Sequence, residues 1–110
     1  MADPGGVILD RLFSVILSRR GHDPEESYVA QQFKSGTSGI AQKVGEEAIE
    51  TVLAALGNDK NELISESADL LFHLMVLWAD KGLAPSDIYA ELSRREGTSG
   101  LDAKTAGKGK

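Results

Sequence analysis

The chain has 110 residues, 41% of them hydrophobic, with 17 acidic against 12 basic residues and a formal net charge of -5. This length predicts one domain, and the acidic balance argues against a general nucleic-acid binder, which normally presents a basic face. The absence of cysteine excludes disulfides and thiolate zinc sites. The N-terminus lacks a signal-peptide pattern and no apolar stretch approaches the roughly 18 residues of a membrane span, so we expect a cytoplasmic protein with no membrane partner.

Helical periodicity recurs along the chain, which predicts an all-α fold of about five helices arranged as an antiparallel bundle. The first helix is expected from Val7 to Arg20, because Gly21 is a common residue just beyond a helix C-terminus. The second is expected to begin with Asp23 as N-cap and Pro24 at the first helical position, and to end near Lys34.

The third helix is predicted to begin around Thr37 or Ser38, either of which can cap it, and to continue to about Leu56. The segment GNDK then interrupts the helical pattern. Asn61 is the predicted cap of a fourth helix, which ends at Gly82. A short break between two long helices predicts an antiparallel hairpin.

The last predicted helix begins at Pro85 with Ser86 or Asp87 and stops at Gly97. Residues 1–97 therefore form the predicted helical domain. Residues 98–110 are small and polar, with lysines towards the end, and we expect a C-terminal tail that is flexible at its end.

Two acidic motifs lie in the third and fourth helices, GEEAIE with Glu46, Glu47 and Glu50, and ESAD with Glu66 and Asp69. Like charges three or four residues apart destabilise a helix by about 0.2–0.5 kcal/mol per pair. In an antiparallel hairpin centred on GNDK, Glu47 approaches Asp69 and Glu50 approaches Glu66. Four carboxylates then converge on one volume, with Glu46 beside them.

Carboxylates packed this closely need a cation or take up protons. A solvated acidic face is the ordinary alternative, but Glu66 and Asp69 lie within an apolar run, and buried carboxylates are rare unless paired or bound to metal. Oxygen-only ligation suits Mg²⁺, with Mn²⁺ as a second possibility. The two motifs therefore predict a divalent-metal site.

Further residues have both a functional and a structural interpretation. Lys43, one turn before the acidic motif, would pair with Glu47 or reach a phosphate. Thr37 and Ser38 at a helix N-terminus would help to hold a phosphate, or serve only as turn residues. His73, one turn beyond the ESAD motif, would contact the site or be a structural histidine.

Three cations near the C-terminus, Arg94, Arg95 and Lys104, would bind substrate phosphates or remain solvated surface charges. Trp78 is expected in the core or in an interface, with stacking on a base as the lesser alternative. The fourth helix is apolar nearly all round apart from its acidic stripe, which requires burial on several sides. A homodimer that joins helices of two chains in one bundle would supply that burial.

The segments DPEESYVAQQFKSG, QKVGEEAIE, ADLLFHLMVL and ELSRREGTSGLDAK together resemble the all-α nucleoside triphosphate pyrophosphohydrolases and, among them, the phosphoribosyl-ATP pyrophosphohydrolase family. The resemblance implies a helical, usually dimeric, Mg²⁺-dependent enzyme of the second step of histidine biosynthesis. Such an enzyme hydrolyses the α–β phosphoanhydride of phosphoribosyl-ATP, giving phosphoribosyl-AMP and pyrophosphate. The implied metal ligands are Glu47, Glu50, Glu66 and Asp69, and we expect either Glu46 or Glu47 to accept the proton of the attacking water.

Two other functions compete with this interpretation. One is a house-cleaning enzyme of the same superfamily, which would hydrolyse non-canonical or excess deoxynucleoside triphosphates. The other is a non-catalytic helical module that binds a metal or a partner protein through its acidic face. Pyrophosphate release from phosphoribosyl-ATP, set against a panel of deoxynucleotides, separates the two enzymes. Loss of turnover in Glu47→Gln or Asp69→Asn would exclude the non-catalytic module.

Overall fold

A computed structural model describes residues 5–97, in which five helices form and no strand occurs. The helices are α1 (Val7–Arg19), α2 (Tyr28–Lys34), α3 (Gly36–Leu56), α4 (Lys60–Asp80) and α5 (Pro85–Arg95). The predicted all-α class is confirmed. The predicted tail, residues 98–110, lies outside the described residues. Within residues 5–97, each helix is too short or too polar to cross a membrane.

The ends of α1 and α5 lie within a residue or two of their predicted positions. Arg20 follows α1, and Gly21 then adopts a φ of 91°, a conformation that costs residues with a Cβ atom more than glycine. Gly97 adopts a φ of 81° just beyond α5. At the start of α5, the Asp87 carboxylate accepts a hydrogen bond of 2.9 Å from the Ala84 N–H. Glycine and cap residues thus predicted these ends well.

The start of α2 differs from the prediction that Asp23 is its N-cap. The helix begins at Tyr28, and the Ser27 hydroxyl oxygen accepts a hydrogen bond of 3.2 Å from the Ala30 N–H. Asp23 instead closes a separate turn, in which its carboxylate accepts a hydrogen bond of 2.9 Å from the Glu25 N–H. Two candidate caps lie close together in this segment, and the helix begins after Ser27, shortly before the buried residues Val29 and Ala30.

The predicted caps of α3 were wrong. Its first residue is Gly36, and Ser35 precedes it without a side-chain capping hydrogen bond. Thr37 is used differently: its hydroxyl hydrogen-bonds the Asp80 carboxylate at 2.6 Å and ties the start of α3 to the end of α4. Ser38 is exposed. A contact across 43 residues leaves no local pattern in the sequence.

The cap of α4 is Asp59 rather than the predicted Asn61. One Asp59 carboxylate oxygen accepts hydrogen bonds from the N–H groups of Asn61 at 2.9 Å and Glu62 at 3.4 Å. An ionised side chain at this position satisfies two of the unpaired N–H groups and favours the positive end of the helix dipole. The helix therefore begins two residues earlier than expected, at Lys60.

The hydrophobic core lies at one end of the α3–α4 hairpin, where α1 and α2 pack on it. Its buried members are Phe13, Ile16, Val29, Ile40, Met75, Val76 and Ala79. Burying an apolar side chain of this size contributes about 1.5–3 kcal/mol. A few such residues outweigh the repulsion of about 0.2–0.5 kcal/mol for each like-charge pair in the acidic motifs. We call this half the packed end.

The other half of the hairpin, residues 46–69, lacks this cover, and we call it the acidic end. Four large apolar residues of α3 are 58–80% exposed there, namely Ile49, Val52, Leu53 and Leu56. On α4, Ile64 is 66% exposed. Only Ala54 in this part of α3 is buried. The acidic motifs therefore belong to the part of the molecule with the least packing of its own.

Candidate metal site

The hairpin brings α3 and α4 together at the level of both acidic motifs. The Thr51 hydroxyl lies 2.8 Å from the carbonyl oxygen of Glu47, on its own helix, and 3.3 Å from that of Glu66, on the other. A hydroxyl proton shared between the two carbonyls fixes the register of the helices beside the carboxylates. This register agrees with the one predicted from the position of the GNDK segment.

Three carboxylates converge between the helices. One oxygen each from Glu47, Glu66 and Asp69 lies within 4.8 Å of the other two, and we call these residues the acidic cluster. Glu47 and Glu66 are half-buried, whereas Asp69 is exposed. The approach of Glu47 to Asp69 is the one that the hairpin geometry predicted.

The fourth predicted ligand, Glu50, is exposed and lies outside this group of three. It is nevertheless close enough for its charge to act on Glu66. Burial raises the pKa of Glu66, and the negative charges of Glu50, Glu47 and Asp69 raise it further. A protonated Glu66 also donates a hydrogen bond to Glu47. Without a cation, the cluster thus retains a proton more readily than an isolated glutamate does.

Glu46 lies beside the cluster and is held by its own helix. Its carboxylate accepts a hydrogen bond of 3.0 Å from the Gln42 side-chain amide, and the Lys43 ammonium lies 3.6 Å away. The Gln42 hydrogen bond lowers the pKa of Glu46, and the charge of Lys43 acts in the same direction. Glu46 is therefore an ionised carboxylate, whereas the pKa of Glu66 is raised. Lys43 pairs with Glu46 rather than with Glu47.

His73 is 5% exposed and makes hydrogen bonds through both ring nitrogens. Its Nδ1 lies 2.9 Å from the Asp69 carbonyl oxygen, and its Nε2 lies 3.0 Å from the Tyr28 hydroxyl. These bonds account for the polar atoms of the ring. The structural interpretation of His73 is therefore the better one, although the ring adjoins a member of the acidic cluster.

Comparison with known proteins places these residues in a family. The family model described as phosphoribosyl-ATP pyrophosphohydrolase matches residues 9–96. This chain belongs to that family. Proteins named phosphoribosyl-ATP pyrophosphatase from Azospirillum brasilense and Paramagnetospirillum magneticum are 57% and 59% identical to it, over 92% and 88% of this chain and 91% and 89% of their own lengths. A third, from Rhodospirillum rubrum, is 53% identical over 96% of this chain and 90% of its own length.

The resemblance drawn from the sequence motifs is thereby confirmed. The match spans the packed end and the acidic end alike, since it covers all of α2, α3 and α4. The acidic cluster of this family member is therefore part of the matched region, as are Tyr28 and His73.

Three of the other predicted phosphate ligands of this family member, Thr37, Arg94 and Arg95, have protein partners in the described part of the chain, and their contact with a phosphate stays a prediction. Arg94 and Arg95 both pair with Glu91 on their own helix, at 2.6 Å and 2.7 Å, and all three side chains are substantially exposed. Thr37 is hydrogen-bonded to Asp80. Lys104 lies outside the described residues. Trp78, which is half-buried and packs against the core, has the structural role expected of it.

Three side chains with contacts at the site were not among the predicted residues. Gln42 lies four residues before Glu46, so the standard helical pairing could have indicated it. Thr51 was detectable in the same way, as a hydroxyl one turn after Glu47 on the hairpin face. Tyr28 gave no such signal, because it meets His73 from another helix 45 residues away.

Proposed function

We propose that this chain is a Mg²⁺-dependent hydrolase that converts phosphoribosyl-ATP to phosphoribosyl-AMP and pyrophosphate, the second step of histidine biosynthesis. The observation that carries the proposal is the convergence of three carboxylates to within 4.8 Å in a member of this family. The names of the relatives support the choice of substrate. We also propose a cytoplasmic location, because the substrate derives from ATP, and cell fractionation would test it.

The donor set of the acidic cluster fits Mg²⁺ or Mn²⁺. Both are hard cations that prefer oxygen ligands, and opposite ligand oxygens of one Mg²⁺ lie about 4 Å apart. The oxygens of the acidic cluster lie within 4.8 Å of one another, so a small side-chain movement would bring them to this separation. Glu47, Glu66 and Asp69 would hold the ion, with exposed Glu50 as a fourth ligand. When bound, the cation neutralises phosphate charge and orients the reacting groups in line.

The ionised carboxylate of Glu46 is the base that we propose. Water forms a new bond to the α-phosphorus, the bond from that phosphorus to the bridging oxygen breaks, and pyrophosphate leaves with the bonding electron pair. The water proton passes to Glu46, which Gln42 keeps in place. Glu47, the other candidate, has an oxygen committed to the acidic cluster.

Phosphorus NMR of the products tests the reaction directly. With Mg²⁺, we expect phosphoribosyl-ATP to give pyrophosphate and phosphoribosyl-AMP, and with a chelator we expect no turnover. Inorganic phosphate as the first product would contradict cleavage between the α and β phosphates. Faster turnover of a deoxynucleoside triphosphate than of phosphoribosyl-ATP would favour the house-cleaning alternative, and no turnover of any nucleotide would favour the non-catalytic module.

A homodimer is the second part of the proposal, and the exposed apolar residues of the acidic end support it. Residues 49, 52, 53 and 56 have the spacing i, i+3, i+4, i+7, which places them on one face of α3. All four are more than half exposed. An apolar helical stripe of this kind packs well against a second copy of itself, as in four-helix bundles. The proposed occupant is therefore the α3–α4 hairpin of a second chain.

Sedimentation equilibrium with a matched pair of variants tests the dimer. We expect wild type at twice the chain mass of 11.7 kDa. Leu53→Glu, in the stripe, should reduce the mass to that of one chain, whereas Leu92→Glu should not. Leu92 is the control because it is 60% exposed, close to the 61% of Leu53, but lies on α5. A wild-type mass of one chain would refute the dimer.

A further inference from the structure

Tyr28 reaches from the start of α2 to the flank of the acidic cluster, and the mechanism above leaves it without a role. Its hydroxyl lies 3.0 Å from His73 Nε2, and His73 Nδ1 lies 2.9 Å from the Asp69 carbonyl oxygen. His73 is 5% exposed, whereas Tyr28 is 46% exposed. A buried imidazole therefore connects the backbone of a cluster residue to a phenol that solvent and ligands can reach.

The hydrogen-bond pattern fixes what this phenol offers to a ligand. A carbonyl oxygen can only accept, so His73 Nδ1 carries a proton, and in the tautomer with its single proton there Nε2 is an acceptor. Tyr28 then donates its single O–H to Nε2. The oxygen of Tyr28 retains lone pairs but has no second proton to give. Towards a ligand it is an acceptor, which suits a hydroxyl or an N–H and does not suit an ionised phosphate.

The ring of Tyr28 is also held in position. It stacks on Phe72 with ring centroids 6.1 Å apart and an interplanar angle of 28°. Phe72 in turn meets His73 edge to face at 5.1 Å. Aromatic contacts on the ring and a hydrogen bond at its tip restrict the phenol to one orientation. A group restricted in this way before binding loses little entropy when a ligand meets it.

The distance from the cluster indicates which part of a nucleotide would meet this oxygen. His73 lies four residues beyond Asp69, about 6 Å along the helix, and Tyr28 lies one hydrogen bond further. The phosphates of a bound nucleotide belong at the cluster. The sugar is bonded directly to the α-phosphate, so its hydroxyls are the first hydrogen-bond donors outside the phosphate region.

We propose that Tyr28 determines specificity by accepting a hydrogen bond from a ribose hydroxyl of the nucleotide, with His73 and Phe72 holding it in place. The inference rests on the proposed function for the position of the phosphates. It explains why a half-exposed phenol is ordered by a buried histidine beside the carboxylates. It also gives the site a preference for ribonucleotides over deoxyribonucleotides that metal ligation alone would not provide.

Kinetics with a matched pair of tyrosine variants give the first test. Tyr28→Phe keeps the ring and removes only the hydroxyl. Tyr89→Phe is the control, because its hydroxyl also hydrogen-bonds a side chain, Asp10 at 3.2 Å, but joins α5 to α1. We expect Tyr28→Phe to raise the KM for phosphoribosyl-ATP about tenfold with little change in kcat, as for one lost hydrogen bond. Tyr89→Phe should stay within twofold of wild type, and equal KM values in the two variants would overturn the proposal.

Binding of ATP, 2′-deoxy-ATP and 3′-deoxy-ATP, measured by calorimetry with Mg²⁺, gives a test that does not depend on turnover. Wild type and Tyr89→Phe should bind ATP about tenfold more tightly than one of the deoxynucleotides. Tyr28→Phe should lose that preference. A purely structural role would weaken all three ligands equally and leave the preference intact, which would overturn the proposal. Failure of wild type to hydrolyse phosphoribosyl-ATP would instead refute the proposed function, since the nucleotide preference is measured separately.

Discussion

The two ends of the α3–α4 hairpin are built on opposite principles. At the packed end, side chains such as Ile16, Ile40 and Val76 have no exposed surface. At the acidic end, carboxylates crowd within 4.8 Å of one another while apolar residues face outward. The packed end holds the hydrophobic core, whereas the acidic end combines like charges with exposed apolar surface. That difference is why we propose that the acidic end binds a cation and a second chain.

Neutralising a carboxylate at the acidic end should have the largest effect on activity. Asp69→Asn keeps the shape of the side chain and removes a ligand charge, so we expect kcat/KM to fall at least about 1,000-fold, or roughly 4 kcal/mol of transition-state stabilisation. Initial rates of pyrophosphate release measure this loss. The control is Glu62→Gln, an exposed glutamate in the first turn of the same helix, which should stay within twofold of wild type. Similar rates in both variants would place the chemistry elsewhere.

Substitutions at the packed end should lower the stability of the fold rather than the activity. Ile16→Ala creates a cavity at a fully buried position, so we expect the free energy of unfolding to fall by about 2–5 kcal/mol. Leu92→Ala, at a position that is 60% exposed, should change it by no more than about 0.5 kcal/mol. Urea denaturation measures both. Equal changes in the two variants would mean that the core lies elsewhere.

The pH dependence of stability should distinguish the two carboxylate environments. Glu66 has a raised pKa in the folded chain, so the folded state binds its proton more tightly than the unfolded state, whose value is near 4.5. The resulting loss of folding stability is absent below the unfolded pKa of 4.5 and complete above the raised pKa of the folded chain. In EDTA, Glu66→Gln should therefore melt at a higher temperature than wild type at neutral pH, and the difference should disappear as the pH falls below about 4.5.

Glu46 should behave in the opposite sense, because its pKa is lowered in the folded chain. Its interaction with Gln42 contributes stability above the unfolded value of 4.5, and that contribution is lost as the pH falls through the lower folded value. Glu46→Gln should accordingly not raise the melting temperature at neutral pH. Adding Mg²⁺ should stabilise wild type and remove the advantage of Glu66→Gln. The same pH response in both variants would contradict the contrast between the two carboxylates.

The smallest expected effect concerns an unsatisfied buried polar group within the packed end. The side-chain oxygen of Gln32, a residue that is 8% exposed, is buried without a hydrogen-bond partner in the described part of the chain. Replacing an unsatisfied buried amide with an apolar group of similar size removes its desolvation cost. We expect Gln32→Leu to raise the free energy of unfolding by about 1 kcal/mol in urea denaturation. A loss of stability in Gln32→Leu would show that Gln32 has a partner in solution.

Sequence reasoning succeeded where the information is local or follows from helix geometry. The five helices and the pairing of Glu47 with Asp69 followed from periodicity and from the position of the GNDK segment. Caps failed where neighbouring residues compete, as Ser27 does with Asp23 and Asp59 with Asn61. In α2 the later candidate caps the helix, whereas in α4 the earlier one does.

Contacts between distant segments were the other feature that the sequence did not predict. The bonds from Thr37 to Asp80 and from Tyr28 to His73 join residues 43 and 45 positions apart. Such pairs depend on how whole helices pack, and a single sequence does not encode them in its spacing. Arg94 and Arg95 show the local case, since both have a charge partner in Glu91 that helical spacing could have indicated, while their contact with a substrate phosphate stays a prediction.

Calorimetric titration with Mn²⁺ tests most directly whether carboxylates from both helices share a divalent cation. Wild type should bind the ion saturably, and Glu47→Gln on α3 and Asp69→Asn on α4 should each weaken binding by about 10–100-fold or more. Glu62→Gln, away from the cluster, should bind as wild type does. Equal affinities in wild type, Glu47→Gln and Asp69→Asn would contradict the account.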